Sequence, residues 1–288
     1  MLWGSLWKES AKSLRPDPVQ EKKRFNYNDH VMGAGGVVAL GDADPVALRL
    51  GRCLDGLPHF SGRALEIGCG AGRMVKNLKA HRPEASIQGC DISYQAIQAA
   101  AREVPVAGFA VADVQALPYT SGSFDIVVGF DIMEHVPDLH LAIDETYRVL
   151  RKGGRFHLHA PCEGNPFTVY WLLKNLGVRR DLKRIHVGHI QKLTTEGLIK
   201  DLKERGYSIL DVTFSWHVLG QLVDLEQYLM MDLRSRYGES LNGFLKPDRI
   251  PAKLLWFCEN LLAHLSVKES QLFKKFPFSM GIHITAQK

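Results

Sequence analysis

A glycine-rich turn, Glu66-Ile67-Gly68-Cys69-Gly70-Ala71-Gly72-Arg73, joins an apolar run, Ala64 to Ile67, to a helical pattern, Gly72 to Ala80. Glycines at alternate positions let the backbone turn sharply and approach a ligand closely. The helix that follows presents unpaired amides and the positive end of its dipole, a ready site for an anionic group. A dinucleotide fingerprint wants glycine at its sixth position, where helix and strand pack around a pyrophosphate, and here that position is Arg73. The spacing argues against a nicotinamide cofactor.

The strand-turn-helix unit repeats. Apolar runs at Ser86 to Cys90, Gly108 to Val111, Phe124 to Gly129 and Arg155 to Ala160 alternate with helical patterns at Tyr94 to Glu103 and Leu139 to Leu150, the latter ending before Gly153-Gly154. Such alternation through short links predicts a parallel α/β sheet of the doubly wound kind. The rhythm then breaks. Pro161 to Leu193 intervene before Thr194-Thr195-Glu196 opens a helix that runs to Arg205 and stops at Gly206. Tyr207 to Phe214 reads as a sixth strand, residues 215–277 as largely helical, and Ser279 to Ala286 as a final strand.

Composition narrows the function classes. A content of 45% hydrophobic and 23% charged residues is ordinary for a globular chain, and 36 Lys+Arg against 31 Asp+Glu give a formal charge of only +5. With no concentrated basic stripe this is not a nucleic-acid footprint. Cys53, Cys69, Cys90, Cys162 and Cys258 show no CxxC spacing, which speaks against a zinc cluster or disulfide framework and for a reducing, cytoplasmic setting. No apolar run reaches the roughly 18–20 residues of a spanning helix, and Trp3, Trp7, Lys8 and Glu9 stand where a signal peptide would have its apolar core. Leu2, Trp3, Leu6, Trp7, Ala11 and Leu14 fall on one helical face opposite Lys8, Lys12 and Arg15, a pattern that serves docking on its own domain or peripheral contact with a membrane surface.

Two acids frame the turn, Glu66 before it and Asp91 at the end of the second strand in Gly89-Cys90-Asp91-Ile92-Ser93. Ala112-Asp113-Val114, Phe124-Asp125-Ile126-Val127, Glu134-His135-Val136 and Arg148-Val149-Leu150-Arg151-Lys152-Gly153-Gly154 follow in order. With these pieces the chain resembles class I S-adenosylmethionine-dependent methyltransferases, in particular the small-molecule group that includes ubiquinone-pathway enzymes. The resemblance implies a Rossmann-like seven-stranded sheet ordered 3-2-1-4-5-7-6 with the last strand antiparallel. It also implies S-adenosyl-L-methionine as cofactor and S-adenosyl-L-homocysteine as product. On that footing Asp91 accepts from the ribose hydroxyls, Asp113 accepts from the adenine amino group beside Ala112 and the Val114 amide, and Ile92 packs on the ring. Gly68, Cys69, Gly70 and Gly72 lie under the methionine portion, Arg73 faces its carboxylate, Glu66 holds its ammonium end, and Phe130 and Asp131 flank the methyl group. Asp125 reads as a brace of the sheet edge.

Methyl transfer from a sulfonium is an in-line displacement, so the protein supplies orientation and, for a hydroxyl acceptor, a base. Base candidates are His135, His157, His159, His186 and His189. His157 and His159 alternate on one strand and read as structural, and His135 and His189 are taken as the catalytic residues. Asp131-x-x-Glu134-His135 resembles the E-x-x-E-H of ubiquinone-pathway O-methyltransferases, where those residues hold a divalent metal. Asp at the first position departs from that pattern, so a divalent metal is left open as a second cofactor and no metal ligand is assigned.

Residues 1–60 are expected to form an N-terminal lid, 61–214 with 278–288 the methyltransferase core, and 161–193 and 215–277 helical insertions at the carboxyl end of the sheet. Phe167, Tyr170, Trp171, Trp216, Leu222, Tyr228, Trp256 and Phe257 in those insertions predict a pocket for an apolar or amphipathic small molecule, quinone-like, lipid-like or polyketide-like, methylated on oxygen. A homodimer interface is the other use of that surface. The rival functions are methylation on nitrogen or carbon and a non-catalytic S-adenosylmethionine-binding partner or sensor. Arg179, Arg180, Lys183 and Arg184 read as a solvated basic run.

Overall fold

The computed structural model describes residues 25–29, 31–57, 59–178, 180–244 and 250–288. The amphipathic face between Leu2 and Leu14, Arg179 and the side chain of Trp256 lie outside the described residues.

Asp44 opens α1 (Pro45–Gly56): its Oδ1 accepts the Val46 and Ala47 amides at 2.6 and 3.1 Å, and Pro45 pre-sets the first turn. There follow β1 (Arg63–Ile67), α2 (Arg73–His81), β2 (Ser86–Asp91), α3 (Tyr94–Glu103), β3 (Gly108–Val111), β4 (Phe124–Phe130), a single 3-10 turn (Met133–His135), α4 (Leu139–Val149) and β5 (Leu150–Pro161). The second half holds α5 (Val169–Asn175), α6 (Leu182–His186), α7 (Thr195–Glu204), β6 (Ser208–Ser215), α8 (Val218–Phe244), α9 (Ile250–Leu272) and β7 (Gly281–Gln287). The strands form one sheet in the order β3-β2-β1-β4-β5-β7-β6, with β7 antiparallel to β5 and β6 and the other pairs parallel. This is the Rossmann-like seven-stranded arrangement expected from the sequence.

One element differs from expectation. Gly153-Gly154 reads as a stop between helix and strand, yet β5 begins at Leu150 and carries the glycines inside it as a bulge, where pairing shifts from Phe124↔Leu150 to Ile126↔Arg155. Gly153 takes φ 77°, and a Cβ on Gly154 would come within 2.9 Å of the Arg151 carbonyl and 3.0 Å of that of Asp125, so the strand passes there only without side chains.

Successive strand residues face opposite layers. Leu65, Val127, Phe156, Leu158 and Ile284 pack with Ile143 of α4 and with Leu198 and Leu202 of α7. Ala64, Ile126 and Val128 pack with Leu50 and Cys53 of α1, Val75 and Leu78 of α2 and Ile97 of α3. Residues 45–57, grouped with the lid on sequence grounds, therefore belong to a layer that covers the sheet. On the same side of the sheet as α1, His157, His159 and His283 cluster between β5 and β7 with tilted rings, the His159 and His283 ring centroids 4.4 Å apart and His157 Nδ1 3.0 Å from the Thr285 hydroxyl.

Candidate active site

The carboxyl ends of the parallel strands open onto a cavity of about 960 Å³, the place where such sheets bind ligands. After β1, Gly68, Gly70 and Gly72 adopt φ of 67°, 51° and 82°, which an L side chain enters only with strain. The Asp91 carboxylate ties this turn to the end of β2: the Gly70 amide donates to Oδ2 at 2.9 Å and the Ser93 amide to Oδ1 at 2.8 Å. Residues 32–33 run across the turn, where the Met32 carbonyl accepts from Ala71 N at 2.8 Å and the Gly33 carbonyl from Arg73 N at 3.0 Å. Beneath them Glu66 is buried with Oε2 unpartnered, and burial, followed by the charge of Asp91, pushes its pKa well up. An ammonium group would satisfy that oxygen.

Of the residues expected at the cofactor, Glu66, Gly68, Cys69, Gly70, Arg73, Asp91, Ile92, Ala112, Asp113, Val114, Phe130 and Asp131 all line this cavity. Gly72 does not. A Cβ there would meet Ala100 of α3 at 3.1 Å, so its turn serves helix packing. Asp113 is partly engaged, since the Gln115 amide donates to Oδ1 at 2.9 Å and Gln115 Nε2 lies 3.0 and 3.1 Å from its two oxygens. The cavity, the donor-poor Glu66 and the paired acids at the ends of β2 and β3 fit a nucleoside bearing an amino-acid tail.

The far wall carries His135 and His189, the two histidines singled out as catalytic, with Glu134 between them. His135 Nδ1 lies 3.3 Å from the Gly188 carbonyl and 3.3 Å from the Tyr27 hydroxyl. A carbonyl only accepts, so the proton sits on Nδ1 and the lone pair on Nε2. His189 is fixed likewise, its Nδ1 2.5 Å from Glu163 Oε1. Both Nε2 atoms face Glu134 Oε1 at 3.8 Å. Burial, then the neighbouring His189, lowers the His135 pKa to about 4, so the ring is neutral at ordinary pH.

Asp131, first acid of the D-x-x-E-H run, is not available as a metal ligand. At φ 52° it turns its carboxylate to Arg49 of α1 at 2.9 Å and to His159 Nδ1 at 2.9 Å. Burial opposes ionisation there, and Arg49 and His159 outweigh it, holding the carboxyl well below its usual range. The acidic set implied by E-x-x-E-H therefore does not assemble.

Several residues at this end escaped the sequence reading. Arg49 stacks over Trp216 at 4.8 Å. Lys183, read as part of a solvated run, is buried instead, with Nζ 2.9 Å from Asp224 Oδ2 and 3.4 Å from Glu163 Oε1, and Arg180 pairs with Asp232 at 2.5 Å. Only Arg184 of the described members of that run is exposed. The available signal was Asp224 and Asp232, two acids that fall on one face of the helix opposite. Trp216, Gln227 and Tyr228 complete the chamber.

Residues 65–158 match the family model described as a methyltransferase domain. These residues therefore form a methyltransferase domain. It is 29% identical over 156 residues to the ubiquinone biosynthesis O-methyltransferase of Alkalilimnicola ehrlichii, covering 48% of this chain and 62% of that one. It is 35% identical over 109 residues to the 27-O-demethylrifamycin SV methyltransferase of Amycolatopsis mediterranei, covering 35% and 40%. The chain thus spans less than two thirds of the length of these curated relatives. A SAM-dependent methyltransferase structure from Thermotoga maritima shares the fold of the methyltransferase domain, with a TM-score of 0.55 at 16% identity over 84% of this chain and 89% of that one. Among the described residues no helix is long and apolar enough to cross a membrane.

Proposed function

We propose that this protein binds S-adenosylmethionine through its methyltransferase domain and methylates a hydroxyl of a small apolar or amphipathic molecule. The observation that carries the reading is that a single cavity runs from the Gly68–Gly70 turn and Asp91 to the wall formed by Tyr27, His135, His189, Trp216 and Tyr228. Its volume lies near the upper end of the roughly 300–1,000 Å³ typical of ligand sites, which suits a cofactor and an acceptor side by side. A binding-only protein would need the first half alone.

S-adenosylmethionine, when bound, supplies a methyl group on a positively charged sulfur that is already a good leaving group. Asp91 and Glu66 would orient its two ends. Val136, Pro137, Ile190 and Trp216 would exclude water and hold an apolar acceptor. His135 and His189 carry the activation of the hydroxyl, because each turns Nε2 toward the chamber while its Nδ1 is engaged behind it. Oxygen is favoured as the acceptor atom by the similarity to a ubiquinone biosynthesis O-methyltransferase and a 27-O-demethylrifamycin SV methyltransferase.

The test is transfer of label from methyl-labelled S-adenosylmethionine during incubation with metabolite and lipid extracts and, separately, nucleic acid. Label in an organic-soluble compound that survives mild acid as an ether supports the reading; label in nucleic acid would reverse it.

A further inference from the structure

We propose that Glu134, His135 and His189 together bind a divalent first-row transition-metal ion on the acceptor wall of the cavity. Their ligand atoms lie within 4.8 Å of one another, and the Nε2 atoms of both histidines sit 3.8 Å from the same carboxylate oxygen, Glu134 Oε1. A bound ion would draw them slightly inward.

Three independent features point to a cation there. Glu134 is fully buried and neither of its carboxylate oxygens has a hydrogen-bond partner, an arrangement that is costly until something positive fills it. Both imidazoles are held from behind, His135 by the Gly188 carbonyl and His189 by Glu163, which Lys192 grips in turn at 2.6 Å. Support of this kind fixes the tautomer and aims the remaining nitrogen, the usual second layer of a metal site. The segments that bear the ligands are also pinned together, since the Glu134 carbonyl accepts from Ile190 N at 2.9 Å and Gln191 N at 3.0 Å.

The ligand set differs from the one implied by D-x-x-E-H. Asp131 is occupied by Arg49 and His159, and the third ligand comes from the segment between α6 and α7. Two imidazoles and one carboxylate suit zinc, iron(II), cobalt(II) or manganese(II) and disfavour magnesium, which seeks an all-oxygen octahedron. With the ion bound, its open face toward the chamber would take the acceptor hydroxyl, and the two Nε2 atoms, committed as ligands, would act on that hydroxyl through the ion rather than as bases. That functional consequence rests on the methyl-transfer reading; the binding of the ion does not.

The full chain, stripped with chelator, is titrated with zinc and with magnesium by calorimetry, and with cobalt(II) by visible absorption. One equivalent of zinc is expected to bind about 100-fold or more tightly than magnesium, and cobalt(II) should show the d–d bands of a low-coordinate N/O site. Glu134→Gln should abolish the cobalt spectrum, Glu163→Gln, which leaves all ligands in place, should weaken zinc by about 10–100-fold, and Asp131→Asn should leave it near the parent value. Circular dichroism confirms that each variant is folded. Absence of stoichiometric binding by the parent, or binding that Glu134→Gln and Glu163→Gln both leave unchanged, overturns the site. Methyl transfer by parent protein that binds no ion would sink the metal and spare the activity; stoichiometric ion binding without transfer would do the reverse.

Discussion

Asp91 Oδ2 accepts the Gly70 amide at 2.9 Å, so the acid at the end of the second strand holds the glycine turn that follows the first. One carboxylate thus shapes the turn as well as lining the cavity. Asp91→Ala removes this bond and the one from Ser93, each of the charge-assisted kind and worth about 1.5–3 kcal/mol. The expected outcome is loss of S-adenosylmethionine binding in calorimetry with an unchanged far-ultraviolet dichroism spectrum. Parent-like affinity would remove Asp91 from the site.

Gly70 sits at φ 51°, and a Cβ there would come within 2.5 Å of the Met32 carbonyl oxygen. The obstacle is backbone, not a flexible side chain. Gly70→Ala should therefore cost about 1–2 kcal/mol in denaturant unfolding from the left-handed strain alone. Gly70→Val should additionally displace residues 32–33, seen as faster hydrogen exchange at the Ala71 and Arg73 amides that those residues accept.

The Arg49 guanidinium meets Asp131 at 2.9 Å and covers Trp216 at 4.8 Å. Arg49→Met keeps much of the stem and deletes the charge, leaving Asp131 with His159 alone. Unfolding free energy is predicted to fall by about 1.5–3 kcal/mol, with a shift in tryptophan fluorescence from the altered environment of Trp216. An unaltered midpoint would show the pair to be idle.

How much of this was legible in the sequence differs along the chain. The sheet was readable because each strand is a short apolar run between turn residues, and because the acids that line the cavity stand at or just after the ends of those runs, as Asp91 and Asp113 do. Gly153-Gly154 misled because a bulge within a strand and a break before one use the same residues. Arg49, Glu163 and Lys183 stayed hidden for another reason: each acts through a partner distant in sequence, and no local pattern marks Arg49 as the mate of Asp131 or Lys183 as the mate of Asp224. His135 and His189 were visible as residue types, but the Glu134 carboxylate between them became apparent only when the segment after β5 folded back onto the 3-10 turn.

The buried histidines make stability fall with acid. Burial, then the neighbouring His159, lowers the pKa of His157 to about 3 from its ordinary 6.5, and burial depresses that of His283 as well. The unfolded chain takes up these protons first, so the stabilising contribution is complete above pH 6.5 and is lost progressively as pH falls toward the folded values. Replacing His157 with Gln should remove one proton from the linkage, flattening the acid limb of unfolding free energy against pH by about 1.4 kcal/mol per unit. An unchanged slope would mean that His157 titrates alike in both states.

The cavity beside the Gly68–Gly70 turn is proposed to hold S-adenosylmethionine. Titration calorimetry of the purified full chain with S-adenosylmethionine and S-adenosylhomocysteine tests it directly. Saturable binding of one equivalent of each, abolished in Asp91→Ala, is the predicted result. No heat of binding from either ligand at high micromolar concentration, with the protein shown to be folded, would contradict it.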